Sequence, residues 1–380
     1  MAVDFEAEGL LEGVNPQQRE ARLKLLGELS ADGASTEELR EAVAANRLTL
    51  LPAERALRGT GERLTRAELA KRSGLSVELL ERMWRSMGMP EPGDDERAFT
   101  DDDVEAASRV KQLMDAGIPE QGILEINRVL GVTMSQVAAA LSGVGRRALL
   151  QPSDSERETG MRMAAAARDL MPVFTPALEY ALRLHARDQL ASAAVDQVQL
   201  GGALEGGMQI AVCFADLVDF TKLGERLEVS EVGELTDRLS EMVAEVAGRR
   251  VRLVKLIGDA AMLTSTDPTD LAVTALELVG AAEREQNFPQ LRAGVALGEV
   301  LPRGGDFYGR PVNLASRITA IARPGSVLCS EALHDQLADD QGLRFSYARK
   351  RQLKGIGEPQ KLFHVRYADG EKSDAGGERA

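Results

Sequence analysis

Hydrophobic residues in the first half of the chain recur at intervals of three and four, which is the spacing of amphipathic helices. Glycine or proline separates most of these segments, as expected at helix ends. The pattern predicts helices at 17–30, 36–46, 66–73, 76–87, 102–116, 119–130 and 134–141. Two longer helices, at 156–170 and 175–194, are predicted to be broken at Met171-Pro172. The first half is therefore predicted to be all-α.

The period of the pattern changes after residue 207, where apolar residues come in short runs between turn residues. The predicted strands are 208–215, 251–257, 260–265, 291–298, 326–329 and 362–367, with one more strand just before Asp306. The predicted helices between them are 220–227, 230–248, 268–285 and 311–322. This order predicts an α+β fold, in which an antiparallel-rich sheet carries helices on one face.

Charge and composition narrow the possible partners. The 380 residues carry 60 acidic and 46 basic side chains, a net charge of −14 that disfavours bulk binding to nucleic acid or anionic membrane. We expect no membrane span, because no apolar run approaches about 18–20 residues, and no secretory signal. The two cysteines, Cys213 and Cys329, fit packing roles in a reducing compartment. A cytoplasmic location is therefore expected.

Residues 65–75 and 77–87 resemble a helix-turn-helix, and residues 99–130 resemble the helices that follow it in MerR-type regulators. Residues 61–92 nevertheless carry 6 basic and 5 acidic side chains, so the surface is nearly neutral. Phosphate contacts supply most of the affinity of a DNA-binding protein. We therefore expect a helical module without nucleic acid, and DNA binding stays an alternative. The acidic stretch 91–105 is expected to be a solvated linker with Thr100 as a helix N-cap.

Four short motifs in the second half carry candidate chemistry. A predicted strand ends on Asp216, and Asp259 lies at the tip of a predicted hairpin after Lys255. Two carboxylates on adjacent strands make an oxygen site for Mg²⁺ or Mn²⁺, although a lone aspartate at a strand end is more often a cap. Asn313 and Arg317 are four residues apart, on one face of a predicted helix. The last motif places Lys354 in a glycine-flanked turn.

Together the motifs resemble those of class III nucleotidyl cyclases. They are Phe-Ala-Asp-Leu-x-x-Phe-Thr, Lys-x-x-Gly-Asp, Asp-x-x-Gly-x-x-Val-Asn-x-Ala-Ser-Arg and Leu-Lys-Gly, spread over about residues 208–367. The resemblance is especially close to the actinobacterial, including mycobacterial, soluble adenylyl cyclases with a helical N-terminal regulatory domain. It implies a ferredoxin-like, palm-type sheet and conversion of ATP to 3′,5′-cyclic AMP and pyrophosphate.

The resemblance also implies a role for each matching residue. Two metal ions, Mg²⁺ or Mn²⁺, would be held by Asp216, Asp259 and the backbone carbonyl of Leu217. The other matching residues contact ATP: Lys255 and Asp306 read adenine, Asn313 orients the ribose, Arg317 stabilises the transition state, and Lys354 contacts the triphosphate. Lysine can donate to adenine N1 and aspartate can accept from the N6 amino group, whereas guanine presents the opposite pattern. The family's active site straddles two subunits, so a homodimer is expected.

The resemblance and the changes of pattern divide the chain into four parts. They are a helical regulatory domain with the helix-turn-helix-like segment (1–153), linker or switch helices (154–207), the catalytic domain (208–367) and a disordered tail (368–380). In the relatives, the N-terminal regulatory domain restrains the cyclase and acid pH relieves this restraint. His185 in the linker helices is the candidate proton sensor. A histidine without a role and a fatty-acid effector at the helical domain stay open as alternatives.

Asp219 departs from the resemblance, because the family usually has glycine there. It could weaken ATP binding, assist a metal ion or point to solvent. Three other functions remain possible from the sequence. They are a DNA-binding regulator with a cyclase-like sensor domain, a catalytically silent nucleotide-binding dimer, and a diguanylate cyclase, whose signature begins like Gly304-Gly305-Asp306-Phe307.

Overall fold

The computed structural model describes residues 3–58, 62–151, 153–200, 207–225, 227, 229–248 and 250–368. The chain forms two compact units, Met1–Arg187 and Asp188–Ala380. Residues 201–206, at the end of the predicted linker part, and the predicted tail from residue 369 onward lie outside the described residues. No helix among the described residues is long and apolar enough to cross a membrane.

The first half of the chain is helical, as predicted. Its helices are α1 Pro16–Ala31, α2 Thr36–Ala44, α3 Leu51–Leu57, α4 Arg66–Ser73, α5 Val77–Ser86, α6 Asp101–Asp115, α7 Glu120–Leu149 and α8 Glu156–Leu200. The prediction missed α3, which is short and begins at Leu51-Pro52. The other bounds up to α6 differ from the prediction by two residues at most. Thr100 precedes α6, and its amide donates to Asp103 at 2.7 Å, so the predicted N-cap is confirmed.

Two long helices are continuous where the sequence predicted breaks. α7 runs through Gly131, because a single glycine costs only about 1 kcal/mol in a helix. α8 runs through Pro172 and Pro176. Each proline removes one backbone donor and leaves the rest of the ladder intact, and the Thr175 hydroxyl donates to the Met171 carbonyl at 2.9 Å. The predicted break at Met171-Pro172 is therefore wrong.

The helical unit contains two separate hydrophobic cores. Leu25, Leu39 and Leu51 belong to the core of α1, α2 and α3, against which Met161 of α8 packs. The second core, built by α4–α7 and the segment before α6, includes Leu80 and Phe99. Gly74, with a φ of +75°, forms the turn of the helix-turn-helix-like segment.

Arginines of the helix-turn-helix-like segment lie in ion pairs with carboxylates. Arg72 contacts Asp101 at 2.8 Å, and Arg82 contacts Glu120. Arg66 is buried and contacts Glu81. These pairs reduce the positive charge that the segment could offer to phosphates.

The second half of the chain folds around one mixed sheet. Its strands are β1 Met208–Leu217, β2 Arg252–Ile257, β3 Ala260–Ser265, β4 Leu291–Arg303, β5 Asp306–Tyr308, β6 Val327–Ser330, β7 Leu343–Arg351 and β8 Gln360–Tyr367. Its helices are α9 Phe220–Gly224, α10 Val229–Val246, α11 Pro268–Arg284, α12 Arg310–Ile321 and α13 Glu331–Gln336. The strand order is β2-β3-β1-β4-β6-β8-β7, with β5 paired to β4. Among the strand pairs of the described residues, only β4–β6 is parallel.

Helices cover both faces of this sheet. Cys213 of β1 packs in the core that contains Leu271 of α11, whereas its neighbour Val212 packs in the core that contains Leu314 of α12. The predicted α+β class is confirmed. The prediction of helices on one face only is wrong, because β1 and β4 are buried on both sides and alternation along them is weak.

Candidate active site

Two carboxylates meet at the end of β1. Asp216 is the second-last residue of β1 and lies opposite Ala260 of β3 and Arg292 of β4. Asp259 follows Gly258 in the β2–β3 turn, where a φ of +61° at Gly258 suits glycine. The Leu217 amide donates to the Asp259 carbonyl oxygen at 3.1 Å, which fastens the turn to β1. The predicted carboxylates are therefore brought together, with Asp216 at the end of β1 and Asp259 in the turn before the adjacent strand β3.

A neighbouring cation contacts only one carboxylate of this pair. Burial and the neighbouring Asp216 raise the pKa of Asp259. Arg292 donates to Asp216 Oδ2 from Nε at 3.0 Å and from Nη2 at 2.6 Å. Arg292 thus places a cation on one of the two carboxylates. We did not predict Arg292 as a site residue, although its place in the strand predicted at 291–298 was a usable signal.

The donor set suits a hard divalent cation. It consists of two carboxylates with the backbone of Leu217, and oxygen ligands are those that Mg²⁺ and Mn²⁺ prefer. Among the described residues, no group of three or more His, Cys, Asp or Glu side chains could enclose a metal ion. Two carboxylates leave coordination positions for further oxygen ligands, so the residues present fit a divalent cation.

Lys255 and Asp306 come together from distant parts of the chain. Lys255 Nζ contacts Asp306 Oδ2, which joins β2 to the start of β5. The Asp306 carboxylate is also held by the Phe307 amide, which donates to Oδ1 at 2.9 Å. The guanidinium of Arg252 lies over the Phe307 ring, with Arg252 Cζ 6.0 Å from the ring centroid. The two predicted base-reading side chains are thus paired with each other and partly exposed.

Packing against the sheet orients α12. Leu314 and Ile318 are buried, whereas Asn313 and Arg317 lie on the exposed face. Thr319 donates its hydroxyl hydrogen to the Phe214 and Ala315 carbonyls, at 3.0 and 2.9 Å.

A glycine on β4 permits this close approach. A Cβ at Gly294 would lie 2.4 Å from the Thr319 nitrogen, so α12 sits almost on the backbone of β4. The side chains of Asn313, Arg317 and Lys354 are exposed and make no hydrogen bond or ion pair with the described residues, the carboxylate pair included. They are therefore placed on the surface of the catalytic unit.

Asp219 occupies a backbone position that favours glycine. Its φ is +58°, in the left-handed region, which explains why a glycine is expected there. Its carboxylate accepts from Lys222 Nζ at 2.7 Å, both side chains are exposed, and this bond lowers the pKa of Asp219. The carboxylate is thus engaged by a neighbour on α9 at the surface.

The remaining sequence candidates are His185 and the two cysteines. His185 lies on α8 and is exposed. Cys213 and Cys329 are buried and unpaired, as the sequence predicted for packing residues. Burial raises the pKa of Cys213 to about 12, so its thiol is unreactive near neutral pH.

Two family models match the chain. The adenylate cyclase regulatory domain matches residues 3–190, and the adenylate and guanylate cyclase catalytic domain matches residues 204–366. A pH-sensitive adenylate cyclase of Mycobacterium tuberculosis is 33% identical over 371 residues, covering 96% of this chain and 93% of the relative. An adenylate cyclase of Streptomyces coelicolor is 35% identical over 282 residues, 73% of each chain.

Solved cyclase structures resemble part of the chain. The adenylyl cyclase CyaB from P. aeruginosa aligns with a TM-score of 0.38 and 21% identity, covering 44% of this chain and 98% of that one. An adenylate/guanylate cyclase/hydrolase from Silicibacter pomeroyi aligns with a TM-score of 0.37 and 26% identity, covering 42% and 96%.

Proposed function

Since the chain belongs to the adenylate cyclases that join a regulatory domain to a class III catalytic domain, we propose how its own residues carry out and control that reaction. The observation that carries the proposal is the Asp216–Asp259 pair, which lies at the end of β1 beside Arg292. We propose that this pair and the Leu217 carbonyl hold two Mg²⁺ or Mn²⁺ ions. When bound, such ions would activate the ribose 3′-hydroxyl and neutralise triphosphate charge.

Adenine recognition is assigned to Lys255 and Asp306. Each satisfies the other in the free protein, so neither charge is left unpaired before ATP arrives. Adenine takes over both interactions, because Lys255 Nζ can donate to N1 and Asp306 Oδ2 can accept from the N6 amino group. The Phe307 amide keeps hold of Oδ1 and fixes the carboxylate plane. Guanine would instead place a donor against the Lys255 donor and an acceptor against the Asp306 acceptor. This mismatch disfavours GTP.

Phosphoryl transfer is assigned to the exposed residues of α12 and the turn after β7. Asn313 orients the ribose so that its 3′-oxygen attacks the α-phosphorus in line, while the bond to the β-phosphate oxygen breaks. Arg317 stabilises negative charge that grows on the α-phosphoryl oxygens, a role worth about 10³-fold in rate in related phosphoryl transfers. Lys354 contacts the triphosphate. The mechanism uses no protein nucleophile.

A homodimer with two shared sites agrees with the placement of these residues. Among the described residues, the Asn313 and Arg317 side chains make no hydrogen bond or ion pair with the carboxylate pair of the same chain, so a second copy can supply one of the two sets. The helical unit also exposes large apolar residues along α7 and α8, which include Val132, Val173, Tyr180 and Leu182. Exposed apolar stretches of this kind mark association surfaces.

We propose that the N-terminal domain restrains the catalytic domain and that this restraint responds to acid pH. The relative named pH-sensitive supports this, and His185 on α8 stays the candidate sensor because imidazole titrates near neutral pH. A fatty acid as effector remains the alternative. The cytoplasmic location also remains a prediction, supported by two free cysteines.

Cyclic AMP production from ATP tests the proposal. It should be measured chromatographically with Mn²⁺ and with Mg²⁺, from pH 5 to pH 8, for the full chain and for residues 200–380. Asp216→Asn and Asp259→Asn should each lower activity at least about 10²-fold. The double variant Lys255→Glu/Asp306→Cys should lose selectivity for ATP over GTP.

Three results would contradict parts of the proposal. Full activity of Asp216→Asn would overturn the metal assignment. Equal activity of both lengths at every pH would overturn restraint by the N-terminal domain. A His185→Gln variant with the wild-type pH profile would exclude His185 as the sensor.

A further inference from the structure

The second helical core encloses a cavity that the cyclase reaction does not use. The cavity has a volume of about 180 Å³ and opens between the helices α4–α7. Most of its lining is apolar, with Met83, Trp84, Met87 and Phe99 among the lining residues. An apolar cavity of about 150 Å³ can bind benzene, so this one can hold a single ring with a small substituent.

One polar side chain in this cavity has no partner. Asn127 of α7 lines the cavity with only 8% of its surface exposed. Its Nδ2 is buried and makes no hydrogen bond with the described residues. A buried amide without a partner costs about 1–3 kcal/mol, so a ligand that accepts a hydrogen bond there would be favoured.

Charge around the cavity excludes one class of ligand. Glu81, Glu91 and Asp103 line it together with a single cation, Arg66. The Arg66 guanidinium already contacts Glu81, Asp94 and the Pro92 carbonyl oxygen. A ligand carboxylate would therefore face three acidic side chains, with no available positive partner among the described lining residues.

We infer that this cavity is a binding site for a compact, uncharged ligand with an apolar ring and one hydrogen-bond acceptor, which Asn127 Nδ2 recognises. The inference concerns the regulatory half only. Its test reads binding alone, so it can fail or succeed without the proposed catalytic roles.

Fluorine NMR titration of the full chain provides that test. Three probes of similar shape separate the contributions: 4-fluoroacetophenone has an acceptor, 1-ethyl-4-fluorobenzene has none, and 4-fluorobenzoate is an anion. We expect saturable binding of the ketone with a dissociation constant on the order of 1 mM or tighter, weaker binding of the hydrocarbon and none of the anion.

Three variants locate the binding. Asn127→Leu should weaken binding of the ketone about tenfold and leave binding of the hydrocarbon unchanged, because only the hydrogen-bond donor is lost. Ala107→Leu should abolish binding of both by filling the cavity, which keeps the test decisive if Asn127→Leu misfolds. Gln136→Leu, which removes an exposed amide from the same helix, should behave like the wild type.

Several outcomes would overturn the inference. They are no saturation of the wild type by the ketone up to about 10 mM, equal binding of ketone and anion, and undiminished ketone binding to Ala107→Leu. A ketone affinity unchanged in a folded Asn127→Leu would overturn recognition by Asn127.

Discussion

A left-handed backbone position explains the one departure from the family motif. Asp219 adopts a φ of +58° and pairs at the surface with Lys222. We expect Asp219→Gly to change stability by less than about 1 kcal/mol, because aspartate tolerates this region better than most residues. Asp219→Val should destabilise by about 1–2 kcal/mol, since a β-branched residue is strained there. Urea unfolding measures both, and a more stable Asp219→Val would contradict the backbone argument.

Arg292 supplies the positive charge beside Asp216, a residue that we propose as a ligand of the divalent cations. Without Arg292, the two carboxylates Asp216 and Asp259 would repel each other in the metal-free protein. We expect Arg292→Gln to destabilise the metal-free protein by about 1–3 kcal/mol, and added Mn²⁺ to recover much of this loss. Thermal unfolding with and without Mn²⁺ measures the effect. Arg250→Gln, which removes an exposed ion pair with Asp267, is the control, and an equal Mn²⁺ shift in both variants would contradict the expectation.

The burial of Glu277 on α11 predicts how the stability of the protein depends on pH. Burial raises its pKa above the usual 4.5 and outweighs the opposing charge of Arg284, and the nearby Tyr367 hydroxyl is buried without a described partner. A raised pKa means that the folded protein loses stability as pH rises from about 4.5 through the folded-state pKa. Above that pKa the loss stays constant.

We therefore expect Glu277→Gln to be more stable than the wild type at pH 7, and equal to it below about pH 4. The gain should stay below about 1 kcal/mol, because the side chain is only partly buried. Urea unfolding at the two pH values measures this difference. A wild type that is the more stable protein at pH 7 would show that the ionised form is stabilised.

At the scale of elements, the sequence predicted the parts that carry strong local signals. The bounds of α4 and β3 were predicted correctly. A capping threonine and a left-handed Gly74 mark the two ends of α4. Gly258-Asp259 precedes β3, and Asp267 follows it. The strand β7 was missed because its end carries Arg349, Lys350 and Arg351. Charged residues are common on edge strands, where they discourage pairing with other chains, and they resemble a loop in the sequence.

The candidate site was predicted from motifs, and its pairing was not. The end of a predicted strand indicated Asp216, and the tip of a predicted hairpin indicated Asp259. Helical spacing indicated Asn313 and Arg317. The contacts of Lys255 with Asp306 and of Arg292 with Asp216 depend on strand register between segments 51 and 76 residues apart, which no local pattern specifies. The sequence therefore indicated the candidate residues, whereas these two contacts became visible only in the structure.

Gly294 sets how closely α12 approaches β4. Any Cβ there would lie 2.4 Å from the Thr319 nitrogen, so Gly294→Ala must push α12 outward together with Arg317. We expect a loss of about 1–3 kcal/mol in stability and a fall in kcat of about tenfold or more, with a smaller change in KM. Gly233→Ala, on the exposed side of α10 with no neighbour within 4 Å, should instead stabilise by about 0.5–1 kcal/mol. Equal effects of the two substitutions would exclude close packing as the reason.

At the scale of the whole molecule, α8 belongs to both halves of the chain. It starts in the helical unit and ends at Leu200, shortly before β1 begins at Met208. Its first turn is fixed to α1, where Arg22 donates to both oxygens of Glu156 at 2.9 Å and each side chain is only 17% exposed. Arg157 makes a second ion pair, with Glu28. A signal from the N-terminal domain would have to pass through this helix if it travels along the chain.

The proposed restraint then predicts what happens when the start of α8 is loosened. Glu156→Gln keeps the shape of the side chain and removes the charge that Arg22 binds, so α8 should hold less firmly to α1. We expect cyclic AMP production at pH 8 to rise about fivefold or more, toward the level of residues 200–380, with a flatter pH profile. Arg183→Gln is the matched control, because it breaks an ion pair with Glu179 on the same helix. The Arg183 and Glu179 side chains are 73% and 60% exposed. If both variants kept the wild-type profile, the contact between α8 and α1 would have no part in restraint, and the coupling would have to run through another contact of the N-terminal domain.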